Sequence, residues 1–189
     1  MHDENATQWI DLIGGRAFNL TGTYEWLEDS IVINNAISAP YSTEDKEMLA
    51  NGYADEIVVI GQPTLPNATL GGCFGIGDNL FCYGAAAKYR IWYGRNSTYV
   101  NPHFKLLIDS TFSFNLSFDG STTTYFNGSY KNSVGSTTPP TGSRGFTFNV
   151  YINYPCKDFR IACRRVYCRP LTDEEVAHNY QIDKVRFGL

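Results

Sequence analysis

The sequence lacks the segments that would place the chain in a membrane. No apolar run in its 189 residues approaches the roughly eighteen that a membrane-spanning helix needs. The first five residues, Met1 to Asn5, have neither the basic head nor the apolar stretch of a secretory signal peptide. We therefore expect no membrane insertion, and a chain that is either exported as part of something longer or not exported by that route.

The sequence also lacks a large excess of either basic or acidic residues. Only 18% of the residues are charged, and 15 basic against 19 acidic residues leave a net charge of −4. This balance provides no electrostatic attraction for a phosphate backbone or an anionic membrane surface. Nucleic acid is therefore not an expected partner.

The cysteines are few, odd in number and without a C-x-x-C pair, and no histidine lies two to five residues from a cysteine. Reduced thiols and no zinc site are the expectation. Cys163 and Cys168 lie five apart, so on one strand they would point to opposite faces, and no disulfide is expected between them. Pairing of Cys73 with Cys82 across a hairpin stays an open alternative. The five residues are Cys73, Cys82, Cys156, Cys163 and Cys168.

What is present describes one ordered, turn-rich domain over residues 1–189. Hydrophobic residues make up 43% and aromatic residues 15% of the chain, and 17 glycines punctuate it. A chain of this length buries roughly two thirds of its unfolded surface. Six N-x-S/T sequons indicate either glycosylation in a eukaryotic host or a β protein rich in Asn, Ser and Thr. They begin at Asn5, Asn19, Asn67, Asn96, Asn115 and Asn127.

The hydrophobic pattern has a period of two, which predicts an all-β chain. Alternation over 112–118, the turn signal Asp119-Gly120, a strand over 121–126 and the turn signal Asn127-Gly128 predict a hairpin with a turn at each end. Many short strands separated by Gly, Pro, Asn and Ser are typical of a sandwich or a barrel. Further strands are predicted at 31–33, 56–60, 89–93, 104–108, 146–152 and 159–167.

One helix is predicted, and it follows the last strand. Thr172 and Glu175 have the spacing of a capping box, in which each side chain bonds the other residue's backbone N–H. Val176, Asn179-Tyr180 and Asp183 continue at helical spacing. We expect a short amphipathic helix followed by a tail over 184–189.

The segment 165–180, RVYCRPLTDEEVAHNY, resembles the closing strand and helix of laminin-G-like jelly rolls in the concanavalin A-like lectin/glucanase superfamily. The family typically has R-I-Y-N-R-A-L-T followed by D-E-E-I-x-x-N-Y, so Cys168 and Pro170 depart from it in the turn. The hairpin from Asp119 to Gly128 and the opening segment 6–12, ATQWIDL, resemble further family motifs. The resemblance implies two antiparallel sheets of about six or seven strands packed face to face, a jelly-roll sandwich whose N- and C-terminal strands pair near each other.

The same superfamily includes glucanases, so the enzyme hypothesis needs a test on the residues. Retaining glycosidases need two carboxylates about 5 Å apart, which the glucanases of this fold take from one E-x-D-x-E strand. No such run exists here, and Asp55-Glu56 is an adjacent pair that points to opposite faces of a strand. Nucleophile elbows, Gly-rich phosphate loops and H-E-x-x-H are absent too. We therefore predict a protein that binds and does not catalyse.

Aromatic and polar residues on two predicted strands indicate a carbohydrate site. In the strand 89–93, alternation sets Arg90 and Trp92 on the polar face, where an indole can stack on a sugar ring. In the strand 146–152, Phe146 and Phe148 face the core, which leaves Asn149 and Tyr151 outward. The alternative is that a loop or another subunit covers Trp92.

Cofactors and partners follow from the resemblance. No cofactor is required, and a calcium site at Asp78 and Asn79 is a family option because a loop there offers oxygen ligands. Domains with this ending occur in surface proteins of gut bacteria and in tail, fibre or head-decoration proteins of phages. The expected partners are a cell-surface glycan and other subunits of a virion or surface assembly, on a virion surface or outside the cell. A purely structural domain and a homo-oligomer are the alternatives.

Overall fold

The computed structural model of the protein describes residues 7–10, 12, 17–20, 22–34, 37–39, 42–60, 70–76, 79–84, 89–93, 96–100, 112–118, 121–135, 145–148 and 158–189. These residues form antiparallel strands and two helices. The strands are β1 (Gln8–Ile10), β2 (Ala17–Asn19), β3 (Tyr24–Trp26), β4 (Ile31–Ile33), β5 (Ile37–Ala39), β6 (Tyr53–Ile60), β7 (Leu70–Ile76), β8 (Asn79–Gly84), β9 (Tyr89–Tyr93), β10 (Asn96–Val100), β11 (Phe112–Phe118), β12 (Ser121–Phe126), β13 (Ser129–Gly135), β14 (Phe146–Phe148) and β15 (Phe159–Tyr167). The helices are α1 (Thr43–Leu49) and α2 (Asp173–Phe187).

The larger sheet has seven strands in the order β13-β12-β11-β6-β15-β4-β3. Its central strand, β6, is buried from Tyr53 to Val59; Glu56 and Ala54 on one face meet the α2 side, and Asp55 on the other bonds Arg164, which reaches the six-stranded sheet. β15 lies between β6 and β4, as expected for a closing strand paired inside a sheet. The all-β prediction is therefore confirmed at the level of antiparallel sheets with a short C-terminal helix.

The smaller sheet has six strands in the order β10-β9-β8-β7-β14-β5. β1 and β2 form a separate two-stranded ribbon. The expectation that the N- and C-terminal strands pair near each other is met by β4 and β15, which are direct partners, whereas β1 pairs with β2. β1 and β2 have three residues each.

The hairpin predicted around Asn127-Gly128 is confirmed. Asn127 and Gly128 have φ of 48° and 72°, which suits a two-residue turn between twisted strands. A Cβ atom at position 128 would lie 2.7 Å from the Cβ atom of Tyr180 in α2. Glycine is therefore required both by the turn and by the helix that packs on it.

α2 begins as predicted but ends later. The Thr172 hydroxyl accepts from the Glu175 N–H, and the Glu175 carboxylate accepts from the Thr172 N–H at 2.9 Å, so the capping box is confirmed. The predicted tail 184–189 is wrong, because the helix continues to Phe187 and Gly188 caps it in the left-handed conformation. A glycine after Lys184 and Arg186 is an ordinary C-terminal signal.

A second helix, α1, was not predicted. Ser42 caps it, and the Asp45 carboxylate accepts from the Ser42 N–H at 2.7 Å. The sequence does contain this signal, because Ser42 and Asp45 have capping-box spacing. Asp in place of Glu or Gln, and a helix of only seven residues, made the pattern weak.

A bulge in β15 decides where its cysteine lies. The register shifts between Ile161 and Cys163, and Cys163 then pairs with Val58. Ile161 is buried, whereas Cys163 is only half-buried. Cys163 and Cys168 both carry free thiols, and burial raises the pKa of the Cys163 thiol. Cys73 and Cys82 are direct backbone partners in β7 and β8, and a disulfide between them stays an open alternative.

Several predicted strands are described only in part. β11, β12 and β9 have the predicted bounds, and the predicted strand 56–60 is the second half of β6. The strand predicted at 104–108 lies outside the described residues. Of the strand predicted at 146–152, β14 covers the first three residues, and residues 149–152 lie outside the described residues. Neither described helix is long and apolar enough to cross a bilayer.

Candidate functional site

The adjacent carboxylates Asp55 and Glu56 face opposite sides of β6, as alternation predicted. Asp55 accepts from Arg164 through both oxygens, with Nε–Oδ1 at 2.9 Å and Nη2–Oδ2 at 2.7 Å. The two side chains are 1% and 3% exposed. Arg164 also donates to the carbonyl oxygen of Gly75 in the six-stranded sheet at 2.8 Å. This buried ion pair therefore joins the two sheets.

Aromatic rings surround the same guanidinium. The Arg164 Cζ atom lies 4.5 Å from the ring centroid of Phe148 and 5.9 Å from that of Phe146, both in β14. A cation over an aromatic face is stabilised further when it is desolvated. Arg164 and Asp55 thus form a paired, hydrogen-bonded contact between sheets, which is how a folded protein tolerates buried charge.

Glu56 lies beneath α2. Its Oε2 atom accepts from the Tyr167 hydroxyl at 3.1 Å and from Asn179 Nδ2 at 3.0 Å, and Arg165 Nη1 lies 3.5 Å away. Burial first, and then the Glu56 carboxylate, raise the pKa of Tyr167 to about 12. The Tyr167 hydroxyl is therefore a neutral donor at any physiological pH, and it holds Glu56 against the helix.

Arg165 completes the contact with α2. Both of its Nη atoms donate to the Asp183 carboxylate, with Nη1–Oδ2 at 2.8 Å. This bond to Asp183 raises the pKa of the Arg165 guanidinium. An apolar cluster of Ala54, Tyr125, Leu171 and Val176 packs beside it. Polar and apolar contacts together fix the helix on the seven-stranded sheet.

These contacts determine what the two carboxylates can do. A glycosidase pair must reach one bond from two sides and needs access to substrate. Asp55 and Glu56 are 1% and 5% exposed in their side chains, face opposite sides of the sheet, and are each held by arginine. They are therefore structural charges and do not form an acid–base pair.

The metal prediction falls at the edge of what the structure describes. Asp78 lies outside the described residues, and Asn79 is the first residue of β8, described in its backbone alone. Within the described part of the chain, no group of three or more His, Cys, Asp or Glu side chains could hold an ion. Calcium at Asp78 and Asn79 stays a prediction.

Two of the four residues predicted to bind carbohydrate lie in a described strand. Arg90 and Trp92 belong to β9, which pairs with β8 and with β10 at the edge of the six-stranded sheet. Asn149 and Tyr151 follow β14 and lie outside the described residues. The structure thus gives the backbone of Arg90 and Trp92 alone, and the four-residue site stays a prediction.

The backbone register relates Trp92 to the contact between the sheets. Direct partners across antiparallel strands share a face, and neighbouring residues along a strand alternate. One row of partners contains Phe148, which is buried against Arg164. It runs Phe148, Phe74, Phe81, Ile91. The next row runs Thr147, Gly75, Leu80, Trp92.

The structure also contains a cluster of aromatic rings that the sequence analysis did not predict. Trp9 of β1 stacks on Phe148 with centroids 5.0 Å apart and planes 14° apart, and its ring lies 6.2 Å from that of Trp26. Tyr24 meets Trp26 edge-on. Since Phe148 and Trp26 belong to different sheets, Trp9 links the short ribbon to both. Only tertiary contact brings together residues so far apart in sequence.

A shallow depression of about 360 Å³ lies where α2 begins. Its walls include Tyr167 and Leu171, and the Arg169–Glu175 ion pair crosses it with Nη2–Oε1 at 2.6 Å. Arg169 lowers the pKa of the Glu175 carboxyl to about 2. These polar groups already bond each other or the helix cap, so the depression is part of the contact that holds the start of α2 and is not proposed as a ligand site.

Comparisons with known proteins identify the fold without a family. No family model matches the sequence, and no curated protein matches it. Trypanosoma rangeli sialidase in complex with sialic acid is a structural match with a TM-score of 0.69 and 13% identity, over 95% of this chain and 31% of that one.

Two botulinum neurotoxin structures also match. One is of type C, for which cell entry is described as dependent on two ganglioside molecules. It has a TM-score of 0.68 and 8% identity, over 93% of this chain and 51% of that one. The binding domain of neurotoxin DC in complex with SialylT has a TM-score of 0.66 and 8% identity, over 90% and 47%. This chain thus spans about a third to a half of the chains it matches, and at these identities the likeness establishes the fold alone.

Proposed function

We propose that this chain is a non-catalytic carbohydrate-binding module with the jelly-roll sandwich of the concanavalin A-like, laminin-G-like kind. The fold likeness to proteins described with sialic acid and gangliosides supports this class of ligand. Two antiparallel sheets joined by Arg164 are compatible with such a sandwich. A glycoside hydrolase is the competing hypothesis, since a sialidase is among the matches, and the burial of Asp55 and Glu56 argues against these two residues as its acid and base.

The proposed site is the face of the six-stranded sheet that is turned away from the seven-stranded sheet. The observation that carries it is the register, because Trp92 belongs to the row next to that of buried Phe148 and hence to the opposite face. Arg90 lies two residues away on the same face. Asn149 and Tyr151 would extend the site from the strand that continues β14.

The chemistry of these residues suits an acidic glycan. An indole stacks on the C–H face of a sugar ring, and Asn and Tyr side chains bond its hydroxyls. A guanidinium bonds a carboxylate through two parallel N–H groups, which favours a sugar acid over a neutral sugar. The proposed ligand is therefore a cell-surface glycan that contains a carboxylate, with Arg90 as the residue that selects it.

The test compares substitutions at two tryptophans. Trp92→Ala should cost roughly 1 to 3 kcal/mol of glycan affinity, as truncation of stacking aromatics does elsewhere, with little change in the thermal midpoint. Trp9→Ala is the matched control, because Trp9 is a structural contact between ribbon and sheets. It should lower the midpoint and leave the affinity of the folded protein unchanged.

The measurements are one thermal melt and one glycan-array comparison of each variant with the wild type. Loss of folding in Trp92→Ala would remove this residue from the site and favour a structural role for its face. Release of sialic acid from a sialoside by the wild type would overturn the non-catalytic assignment. Repeating the array with calcium and with a chelator tests the site proposed at Asp78 and Asn79.

We further propose that the module serves attachment within a larger assembly, a phage virion or a bacterial surface protein, at the virion surface or outside the cell. The support is the resemblance of the segment 165–180 to domains of such proteins. A purely structural subunit is the alternative role. The mass of the native particle, and detection of this polypeptide in it, would test the proposal, and a chain found alone inside the cell would contradict it.

A further inference from the structure

α2 exposes apolar side chains on the side that points away from the sheet. Ile182 and Val185 are 48% and 88% exposed, and a spacing of three residues sets them on one face of the helix. The opposite side carries Asp183, which is 1% exposed, and Asn179, which bonds Glu56. The expected amphipathic helix is therefore reversed in part, because polar bonds hold it and two of its apolar residues face outward.

The exposed residues form a continuous stripe along α2. A shallow, largely apolar groove of about 470 Å³ runs over it. Neither Ile182 nor Val185 belongs to the apolar cluster that packs α2 on the sheet. The outward stripe therefore takes no part in packing α2 on the sheet. Its lining residues are His178, Gln181, Ile182, Val185 and Arg186.

We propose that this stripe is the contact with a second copy of the chain, formed by two antiparallel α2 helices around a two-fold axis near Gln181 and Ile182. The distribution of charge favours this occupant and this direction. The first turn of α2 carries Asp173, Glu174 and Glu175, and the last turn carries Lys184 and Arg186. Antiparallel pairing brings acidic first turns to basic last turns, whereas parallel pairing would bring like charges together.

The size of the stripe sets the strength of the contact. α2 has fifteen residues, a length of about 22 Å. One helix pair buries less than the roughly 800 Å² per partner of a standard interface, so the expected dimer is weak and reversible. A two-fold contact uses the same patch on both copies and closes, so association stops at two.

Sedimentation of the full chain over a range of concentrations tests the association. Val185→Glu should raise the dissociation constant at least about tenfold, because it brings a charge into the apolar contact. Leu12→Glu is the matched control, since Leu12 is 92% exposed and does not belong to α2. It should leave association unchanged. Ile182→Lys is a second variant of the stripe, and thermal melts check that each variant folds.

The outcomes decide the proposal. A wild type that is monomeric at every concentration would overturn it and leave the stripe to a different partner. Equal weakening by Val185→Glu and Leu12→Glu would overturn it as well, since association would then be unspecific. Weakening by Val185→Glu and by Ile182→Lys, but not by Leu12→Glu, is the expected result.

Disulfide cross-linking tests the direction of the helices. In a Cys168→Ser background, Gln181→Cys lies near the two-fold axis and should cross-link to its own copy. Glu174→Cys lies 7.5 residues from the axis, so its two copies are about 22 Å apart and cannot bond. Cross-linking at both positions would indicate parallel helices. Cross-linking at neither position would show that the contact lies elsewhere. Either result contradicts the proposal.

Discussion

Arg164 and Arg165 are neighbours in one strand, yet they hold together different parts of the molecule. Arg164 lies between the two sheets, 3% exposed, and bonds Asp55 and the Gly75 carbonyl. Arg165 lies beneath α2, 26% exposed, and bonds Asp183. Alternation along a strand sends consecutive side chains to opposite faces, so two adjacent arginines provide one contact for each face of β15. The degree of burial should decide how much each contact matters.

Replacing the aspartate partner of each arginine by asparagine tests this comparison, and the larger effect is expected at Asp55. Asp55→Asn leaves the Arg164 guanidinium buried with a neutral partner and should cost roughly 3 to 5 kcal/mol of unfolding free energy. Urea unfolding of the variant and the wild type measures it. The double variant Asp55→Leu, Arg164→Met should recover most of the loss, because apolar residues need no ionic partner there. A cost below about 1 kcal/mol would contradict the structural role of this pair.

Asp183→Asn makes the matching change under α2. Arg165 is partly exposed and can turn to water, and Glu56 stays nearby, so the expected cost is smaller, about 1.5 to 3 kcal/mol. The loss should be local to the helix. Hydrogen exchange should show faster exchange of the α2 amides and unchanged exchange in β6. A loss equal to that of Asp55→Asn would show that burial does not separate the two faces.

The start of α2 provides a still smaller test on the helix side. Thr172→Ala removes the hydroxyl that accepts from the Glu175 N–H and should cost about 1 kcal/mol. Thr172→Ser retains an acceptor and serves as the control. Urea unfolding of the three proteins would measure the difference, and a Ser variant as unstable as the Ala variant would refute the assignment of the cap.

Tyr167 allows the helix contact to be titrated. Its pKa is raised from 10.0 to about 12 by burial and by Glu56, so the folded state favours the neutral phenol. The resulting stability is fully present below pH 10 and is lost as the pH rises through about 12. Asn179, Arg165 and Glu56 are the groups around this hydroxyl. Unfolding at rising pH should show a decline that Tyr167→Phe lacks, and identical profiles would exclude this linkage.

Local patterns predicted much of the chain. The alternation in 112–118, the Asn127-Gly128 turn and the Thr172–Glu175 cap each depend on a few neighbouring residues, and each was confirmed. The end of α2 was misjudged, because the helix was expected to stop after Asp183, whereas it continues to Phe187. In the structure Asp183 faces Arg165, so a polar residue occupies the buried side of the helix.

For the candidate site, too, local patterns predicted some features and missed the long-range contacts. Period-two alternation was enough to separate Asp55 from Glu56, and the matching separation of Arg90 and Trp92 from Ile91 stays a prediction. It could not pair Asp55 with Arg164, which lies 109 residues away, or bring Trp9 to Phe148. Contacts of that range depend on which strands become neighbours, and no local pattern carries that information.

The sequence by itself determined the alternation of β11, the turn at Asn127-Gly128 and the cap at Thr172, because these follow from the geometry of a few consecutive peptides. Only the tertiary structure decided that β15 lies between β4 and β6, that Arg164 spans the two sheets, and that α2 turns both Val176 and Asp183 inward and Val185 outward. The reason is physical. A side chain becomes core, ion pair or exposed contact surface only through its neighbours in space, and those neighbours come from distant parts of the chain.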